Sequence, residues 1–255
     1  MTTPLVMITA PVRNRAWIIP DYLERIYKLD YPKKQLSLRF LINDSTDETD
    51  DVLCKFKREH CHEYRDITLY RLNLGTAEDA RVKRLDKGIF QALSTLRNTT
   101  VKLLDGEDWM LSVDTDILVA PNLLKQLLSH NKMCVSALIK NSPQNIFNIM
   151  RWNDDAMVTA THIRDFPWGN LIKVDVLGAC TLYHKNIVNS CQFKFHLQGE
   201  DLGFCQDAKR FGYELYCDTT AGLATHVMDK EAWIKDKTVN YHWHPALSAQ
   251  GGLKQ

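Results

Sequence analysis

Short apolar runs that alternate with helical patterns constrain this chain more than any other feature. Leu5 to Ile8, Leu38 to Ile42, Ile67 to Leu72 and Trp109 to Val113 each have the length and composition of a buried strand. Between them lie helix-like stretches. The first runs from about Ile18 to Leu29, with Pro20 near its first turn and Leu23, Ile26 and Tyr27 as its buried stripe. Val52, Leu53 and Phe56 mark a second, whose start is predicted at Ser45 because Ser45 and Glu48 have capping-box spacing. Val82, Leu85, Ile89, Leu93 and Leu96 mark a third. Such alternation implies parallel βαβ units with right-handed crossovers, hence an α/β fold. With 255 residues, 45% of them hydrophobic, the chain suits one large domain better than two small ones.

The second half is less regular. Leu123 to Leu128 reads as a short helix, and Met133 to Ile139 and Val174 to Leu177 as strands. Asn141 to Asn170, with Pro143, Trp152, Pro167 and Trp168, has no clear period, and segments of that length are more often functional than filler. A last helix is predicted from Glu200 to Phe211, with Phe204, Ala208 and Phe211 on one face and Gly212 as its C′ residue. After Asp229 no pattern is visible, and the tail is a candidate lid. A net charge of +1 gives no sign of a dedicated polyanion binder, and no apolar run reaches the roughly 20 residues of a membrane-spanning helix. The start, MTTPLVMITAPV, reads as a first strand without a basic leader. Seven scattered cysteines form no CxxC pair, which argues against structural zinc or an oxidised scaffold; the expectation is a cytoplasmic, reducing location.

The polar ends of the apolar runs carry the chemistry. APVRNR follows the first strand, NDSTDET the second and DTD the fourth. In an open parallel sheet, ligands bind outside the carboxyl ends of the strands, so these loops should converge. Asp114 and Asp116, two residues apart just past a strand, make a hard-oxygen site suited to Mg²⁺ or Mn²⁺ together with substrate phosphates. The alternative is that they cap the turn before Pro121.

In that order, VMITAPVRNR, LINDSTDETDDV, LSVDTDILV and GEDLGFCQDAKRFGYELY with THV beyond it resemble the GT-A glycosyltransferases, most closely the broad family-2-like group. The resemblance covers residues 5 to 228. It implies a Rossmann-like, mixed but mainly parallel sheet flanked by helices in a single domain, 1–228. Residues 1–120 would form the nucleotide-binding half, 121–228 the acceptor-binding half and 229–255 the tail. It further implies a Mn²⁺ or Mg²⁺ cofactor held on the donor diphosphate. Asp116 would be a direct ligand, Asp114 would reach the metal through water or contact the ribose, with Thr115 between them, and His226 would be the second protein ligand; the alternative for His226 is a partly buried, satisfied histidine. Pro11 and its neighbours would face the base, as would Asp44, which is equally good helix-cap chemistry. Asn73, Gly75 and Arg81 resemble an N-x-G…A-R segment. Arg81 is the preferred phosphate donor over Lys83, Arg84 and Lys87, with Arg13 second, although a basic helix face is often simply solvated. Gly178, Ala179 and Cys180 match a segment lining the donor sugar. Trp168 and Gly169 would meet the acceptor, or Trp168 is core. His242 and His244, in YHWHP, are further candidates over the diphosphate.

The resemblance makes Asp201, in the pair Glu200–Asp201, the base that deprotonates an acceptor hydroxyl if transfer inverts; acidic residues in a first helical turn also suit the helix dipole. Both stereochemical outcomes stay open. The function expected is metal-dependent transfer from a nucleotide-sugar, a UDP-sugar before a GDP-sugar, to an unassigned glycan, peptide or modified nucleic acid base, with no obligate partner protein. The competing readings are a sugar-phosphate nucleotidyltransferase, which usually has a glycine-rich loop where this chain has APVRNR, and a non-catalytic nucleotide-sugar-binding module.

Overall fold

The computed structural model describes residues 3–75, 87–142 and 144–237. Four parallel strands form the first half of the sheet: β1 (Val6–Val12), β2 (Leu36–Asn43), β3 (Asp66–Leu72) and β4 (Trp109–Val113). Helices α1 (Ile19–Tyr27), α2 (Thr49–His60) and α3 (Lys87–Val101) connect them. β5 (Ile117–Val119), α4 (Leu123–Ser129) and β6 (Cys134–Ala137) follow, then two small hairpins, β7 (Lys140–Ser142) with β8 (Ile146–Phe147) and β9 (Met150–Trp152) with β10 (Ala160–His162). The chain ends in β11 (Leu171–Val174), β12 (Cys180–His184), α5 (Lys185–Ser190), α6 (Glu200–Arg210), β13 (Leu215–Asp218), β14 (Ala224–His226) and α7 (Lys230–Lys235). The eight-stranded sheet has the order β11-β13-β6-β12-β4-β1-β2-β3 and is mostly parallel, with β12 and β11 reversed. No helix among the described residues is long and apolar enough to cross a membrane.

The α/β expectation holds because both sheet faces are covered, which requires near-continuous apolar strands. In β1, Val6, Ile8, Ala10 and Val12 enter one apolar cluster with Ile19, Tyr22, Leu23 and Ile26 of α1. Met7, on the other face, joins a cluster with Met110, Tyr183, Phe193 and Phe204. The direction of strand addition reverses at β1, with β2 and β3 on one side and β4 on the other. That junction is the switch point at which open sheets leave a crevice.

Several boundaries differ from expectation for local reasons. Ala10–Val12 belong to β1, so the first loop begins at Arg13. Ser45 and Glu48 form no capping box: Ser45 Oγ accepts from Asn14 N at 3.2 Å, while Asp47 Oδ1 accepts from Thr49 N at 3.1 Å and α2 starts at Thr49. The run Val174 to Leu177 is not a strand: Leu171–Val174 pairs with β13, and Val176 only bridges Met150. Cys180 begins a core strand, β12, inserted antiparallel between β4 and β6. Phe211 is exposed because α6 ends at Arg210, while Gly212 takes the left-handed φ of 78° expected after the helix. The start of the tail is structured. Asp229 caps α7, Trp233 is buried in the core, and its Nε1 donates to Asp21 on α1 at 3.1 Å, so residues 230–235 are a docked helix rather than a free lid. The cysteines among the described residues, all seven, are free.

Candidate functional site

β4 ends at Val113 beside the start of β12, and this pairing organises the site. Asp114 N donates to Ala179 O at 2.8 Å, so the acidic turn and the Gly178–Ala179 turn are joined through backbone. Asp116 is fixed from behind, where Val227 N donates to its carbonyl at 2.8 Å and β5 pairs antiparallel with β14, His226 opposite Ile117. The Asp116 carboxylate thereby faces His226, with Oδ1 4.0 Å from Nε2. Tyr22, buried on α1, donates its hydroxyl to Val113 O at 3.2 Å and braces the strand end.

Two arginines hold the acidic motif. Arg15, from the loop after β1, places Nη2 3.1 Å from Asp116 Oδ2 and Nε 3.1 Å from Thr115 Oγ1. Arg97, buried on α3, donates to Asp114 Oδ1 at 2.6 Å, to Ser112 Oγ at 3.0 Å and to Glu200 Oε1 at 3.5 Å. It ties the turn after β4 to the first turn of α6. Sequence reasoning missed both. Arg15 lies inside APVRNR, two residues after the candidate Arg13. Arg97 follows Leu93 at i+4 on the apolar stripe of α3, and a charge on a buried stripe needs a partner. Because removing one member strands the others in a poorly solvated pocket, Arg97→Met is expected to cost about 3 kcal/mol of stability by urea unfolding. A loss under about 1 kcal/mol would show that the cluster is solvated and weak.

Gly178 and the Glu200–Asp201 pair form the second wall. A Cβ on Gly178 would lie 2.2 Å from Asp201 Oδ2, so only glycine lets that carboxylate close on the backbone. Ala179 takes a left-handed φ of 65°, a strained state for a non-glycine residue that the flanking contacts hold. Burial raises the Asp201 carboxyl well above the usual carboxylate range, and the neighbouring Glu200 charge adds to the rise, while Arg97 opposes it. Glu200 is raised too, first by burial, with Arg97 again pulling down. A carboxyl poised nearer neutrality is suited to proton transfer.

The loops after β1 and β2 are clasped together. Thr46 N donates to Asn14 Oδ1 at 2.8 Å and Ala16 N to Asp47 Oδ2 at 3.1 Å. Asp44, at φ 45°, accepts from Leu74 N and Gly75 N at 3.2 and 3.3 Å, which ties this loop to the end of β3. Pro11 is the penultimate residue of β1, opposite Leu41, and Arg13 opens the loop. Trp168 packs against Phe166 and Phe147, with ring centroids 4.7 and 5.8 Å apart, and Gly169 N donates to Thr219 O at 3.2 Å just past β13. β13 is three places from β4 in the sheet, or about 14 Å at usual strand spacing. Arg81, Lys83, Arg84, the Lys87 side chain, His242 and His244 lie outside the described residues.

No three His, Cys, Asp or Glu side chains among the described residues gather to enclose a cation by themselves. Asp116 and His226 nevertheless offer a carboxylate oxygen and an imidazole nitrogen to a common point. That pair fits a Mn²⁺ or Mg²⁺ whose remaining positions go to a diphosphate and water, with the nitrogen favouring Mn²⁺. Nδ1 of His226 is buried with no hydrogen-bond partner among the described residues, which leaves either tautomer accessible and Nε2 available as a ligand atom.

Comparison with known proteins identifies the fold and the family. The mannan polymerase complex subunit MNN9 of Candida albicans is 30% identical over 146 residues, 52% of this chain and 39% of MNN9, so the chain spans about two-fifths of that relative. Among solved structures, GalNAc-T7 with UDP, GalNAc and Mn²⁺ superposes with a TM-score of 0.64 at 12% identity, covering 88% of this chain and 43% of that one. TarS of S. aureus gives 0.58 at 16%, covering 87% and 60%. The mannosyltransferase PcManGT of Pyrobaculum calidifontis, with GDP-Man and Mn²⁺, gives 0.55 at 16%, covering 100% and 66%. The Anp1 family profile matches residues 2–158, more than half of the sequence. The fold is that of the GT-A glycosyltransferases, and the chain belongs to the Anp1 family.

Proposed function

We propose that this protein transfers a hexose from a nucleotide-sugar to a glycan hydroxyl, with Asp116 and His226 holding a divalent cation and Asp201 acting as base. The observation that carries the reading is the Asp116 carboxylate facing His226 just past β4, with Arg97 linking the adjoining Asp114 to the Glu200–Asp201 turn, where the half-buried Asp201 has a raised pKa. Mn²⁺ or Mg²⁺ held there would offset the negative charge that develops on the leaving diphosphate. Asp114, engaged by Arg97, suits a positioning role toward the ribose or a metal-bound water better than direct ligation. The Gly178–Ala179 turn and Thr115 line the sugar's side of the pocket, while the clasped loops carrying Pro11, Arg13 and Asp44 receive the base. Asp201 takes the acceptor's hydroxyl proton as the oxygen attacks the anomeric carbon. The bond from that carbon to the diphosphate breaks, the nucleoside diphosphate departs, and the sugar is left on the acceptor oxygen with inverted configuration. An extended acceptor would reach toward Trp168 and Gly169, although Trp168 also packs on Phe147 and Phe166.

The donor we place first is GDP-mannose, because the relative with 30% identity is a mannan polymerase subunit and PcManGT binds GDP-Man. UDP-sugars, the expectation from sequence alone, come second. The test is a donor panel: the protein with Mn²⁺ and GDP-mannose, UDP-glucose or UDP-N-acetylglucosamine, monitored for slow release of nucleoside diphosphate. GDP release from GDP-mannose should exceed UDP release and stop with EDTA. Pyrophosphate as the product would instead indicate nucleotidyl transfer, and tight donor binding without turnover a binding module.

A further inference from the structure

The carboxylate that a cation would need at this site is already engaged by another cation. Arg15 holds Asp116 Oδ2 through Nη2 at 3.1 Å, on the same carboxylate whose Oδ1 faces His226. The backbone under Arg15 is fixed. Its N donates to Thr49 Oγ1 at 2.7 Å, its carbonyl accepts from Ile18 N and Ile19 N at 2.9 and 2.8 Å, and Asn14 before it is locked at φ 47°. The side chain, by contrast, is anchored among the described residues only at its tip, on Thr115 and Asp116, and is 23% exposed. Side-chain torsions alone can therefore release the guanidinium, with no rearrangement of the loop.

Placing a doubly charged ion between Asp116 and His226 sets it beside the guanidinium, and the two positive charges repel. A diphosphate removes that conflict, because it binds the ion and offers paired oxygens that suit the planar fork of arginine. We infer that Arg15 couples cation and donor binding: it competes with the divalent ion for Asp116, then turns onto the donor's diphosphate when the two arrive together. This rests on the proposed donor reading. It makes nucleotide and metal mutually dependent ligands, and the coupling must be the same seen from either side.

The test is binding rather than turnover. Mn²⁺ is titrated by calorimetry into the wild type, Arg15→Met, Arg15→Lys and Asp116→Asn, with and without GDP. In the wild type, GDP should tighten Mn²⁺ about tenfold or more. Arg15→Met should bind Mn²⁺ alone about fivefold more tightly, as expected for loss of a partly exposed competing ion pair. It should bind GDP in saturating Mn²⁺ about tenfold more weakly, so that the coupling between the two ligands falls below the wild-type value to what direct phosphate coordination of the ion supplies. These opposite signs are not what partial unfolding produces, since unfolding weakens both. Arg15→Lys should keep weak binding of Mn²⁺ alone and lose part of the nucleotide affinity. If Arg15→Met binds Mn²⁺ alone no more tightly than the wild type while Asp116→Asn loses it, the coupling is wrong and the donor clamp stands. If Asp116→Asn binds Mn²⁺ and GDP as the wild type does, or no form binds them together, the donor clamp itself is wrong and the coupling falls with it.

Discussion

Asp116→Asn should lower kcat/KM for sugar transfer by about a thousandfold and abolish the response to Mn²⁺. The substitution keeps the side-chain volume, and it leaves the backbone bond from Val227 N to Asp116 O that closes β5 onto β14. What it removes is the charge facing both Arg15 and His226. Loss of electrostatic stabilisation of a leaving diphosphate is worth several kcal/mol, and about 4 kcal/mol corresponds to that thousandfold change. Thermal stability should hardly move, because the ion pair is partly solvated. A variant within tenfold of wild type that still responds to Mn²⁺ would remove Asp116 from the metal site.

Asp201→Asn should reduce kcat by about 10²–10⁴, the usual contribution of a general base, with a smaller effect on donor KM. Burial, reinforced by the Glu200 charge, raises the Asp201 carboxyl. Only the deprotonated form accepts the acceptor's proton. The wild-type rate should therefore rise with pH through the raised pKa, with its acidic limb well above the usual aspartate value of about 4. Linkage gives a second readout. A carboxyl whose folded-state pKa exceeds its unfolded value contributes stability below the unfolded pKa and loses it as pH rises through the folded one. Wild type should thus lose stability relative to Asp201→Asn on alkaline titration. An asparagine variant with full kcat, or a product of retained configuration, would take the base role away from Asp201.

The parts of the fold that were legible in the sequence are those buried on both faces. β1, β2 and β4 are buried almost along their whole length, and nothing else of that length and composition competes with a central parallel strand, while β3 is the half-buried edge strand. β12 was not legible. Its sequence, CTLYH, sends Thr181 alongside Ser112 and Ser136 in adjacent strands, a polar row within the sheet that period and composition do not announce. The hairpins β7 to β10 and the six-residue α7 are too short for periodicity, and the burial of Trp233 in α7 follows from no pattern in the tail.

The site divides in the same way. Asp114 and Asp116 stand out as carboxylates at the end of an apolar strand, whereas Glu200, Asp201 and His226 are singled out only by the resemblance to GT-A enzymes. Arg15 and Arg97 could not be assigned, because their partners at Asp116 and Glu200 are about a hundred residues away and meet them only after folding. Gly178 is assigned by the resemblance to the donor sugar's side, but its contact with Asp201 is not legible in sequence, because its lack of a side chain matters only once Asp201 is packed on it.

The central claim is that Asp116 and His226 hold a cation on the donor's diphosphate. Pulsed EPR of Mn²⁺ bound to the protein with GDP reads this directly. The expected spectrum has phosphorus-31 coupling from the nucleotide and nitrogen-14 coupling from one imidazole. The nitrogen signal should vanish in His226→Ala, and bound Mn²⁺ itself should be lost in Asp116→Asn. Nitrogen coupling that persists in His226→Ala, or bound Mn²⁺ without phosphorus coupling, would contradict it.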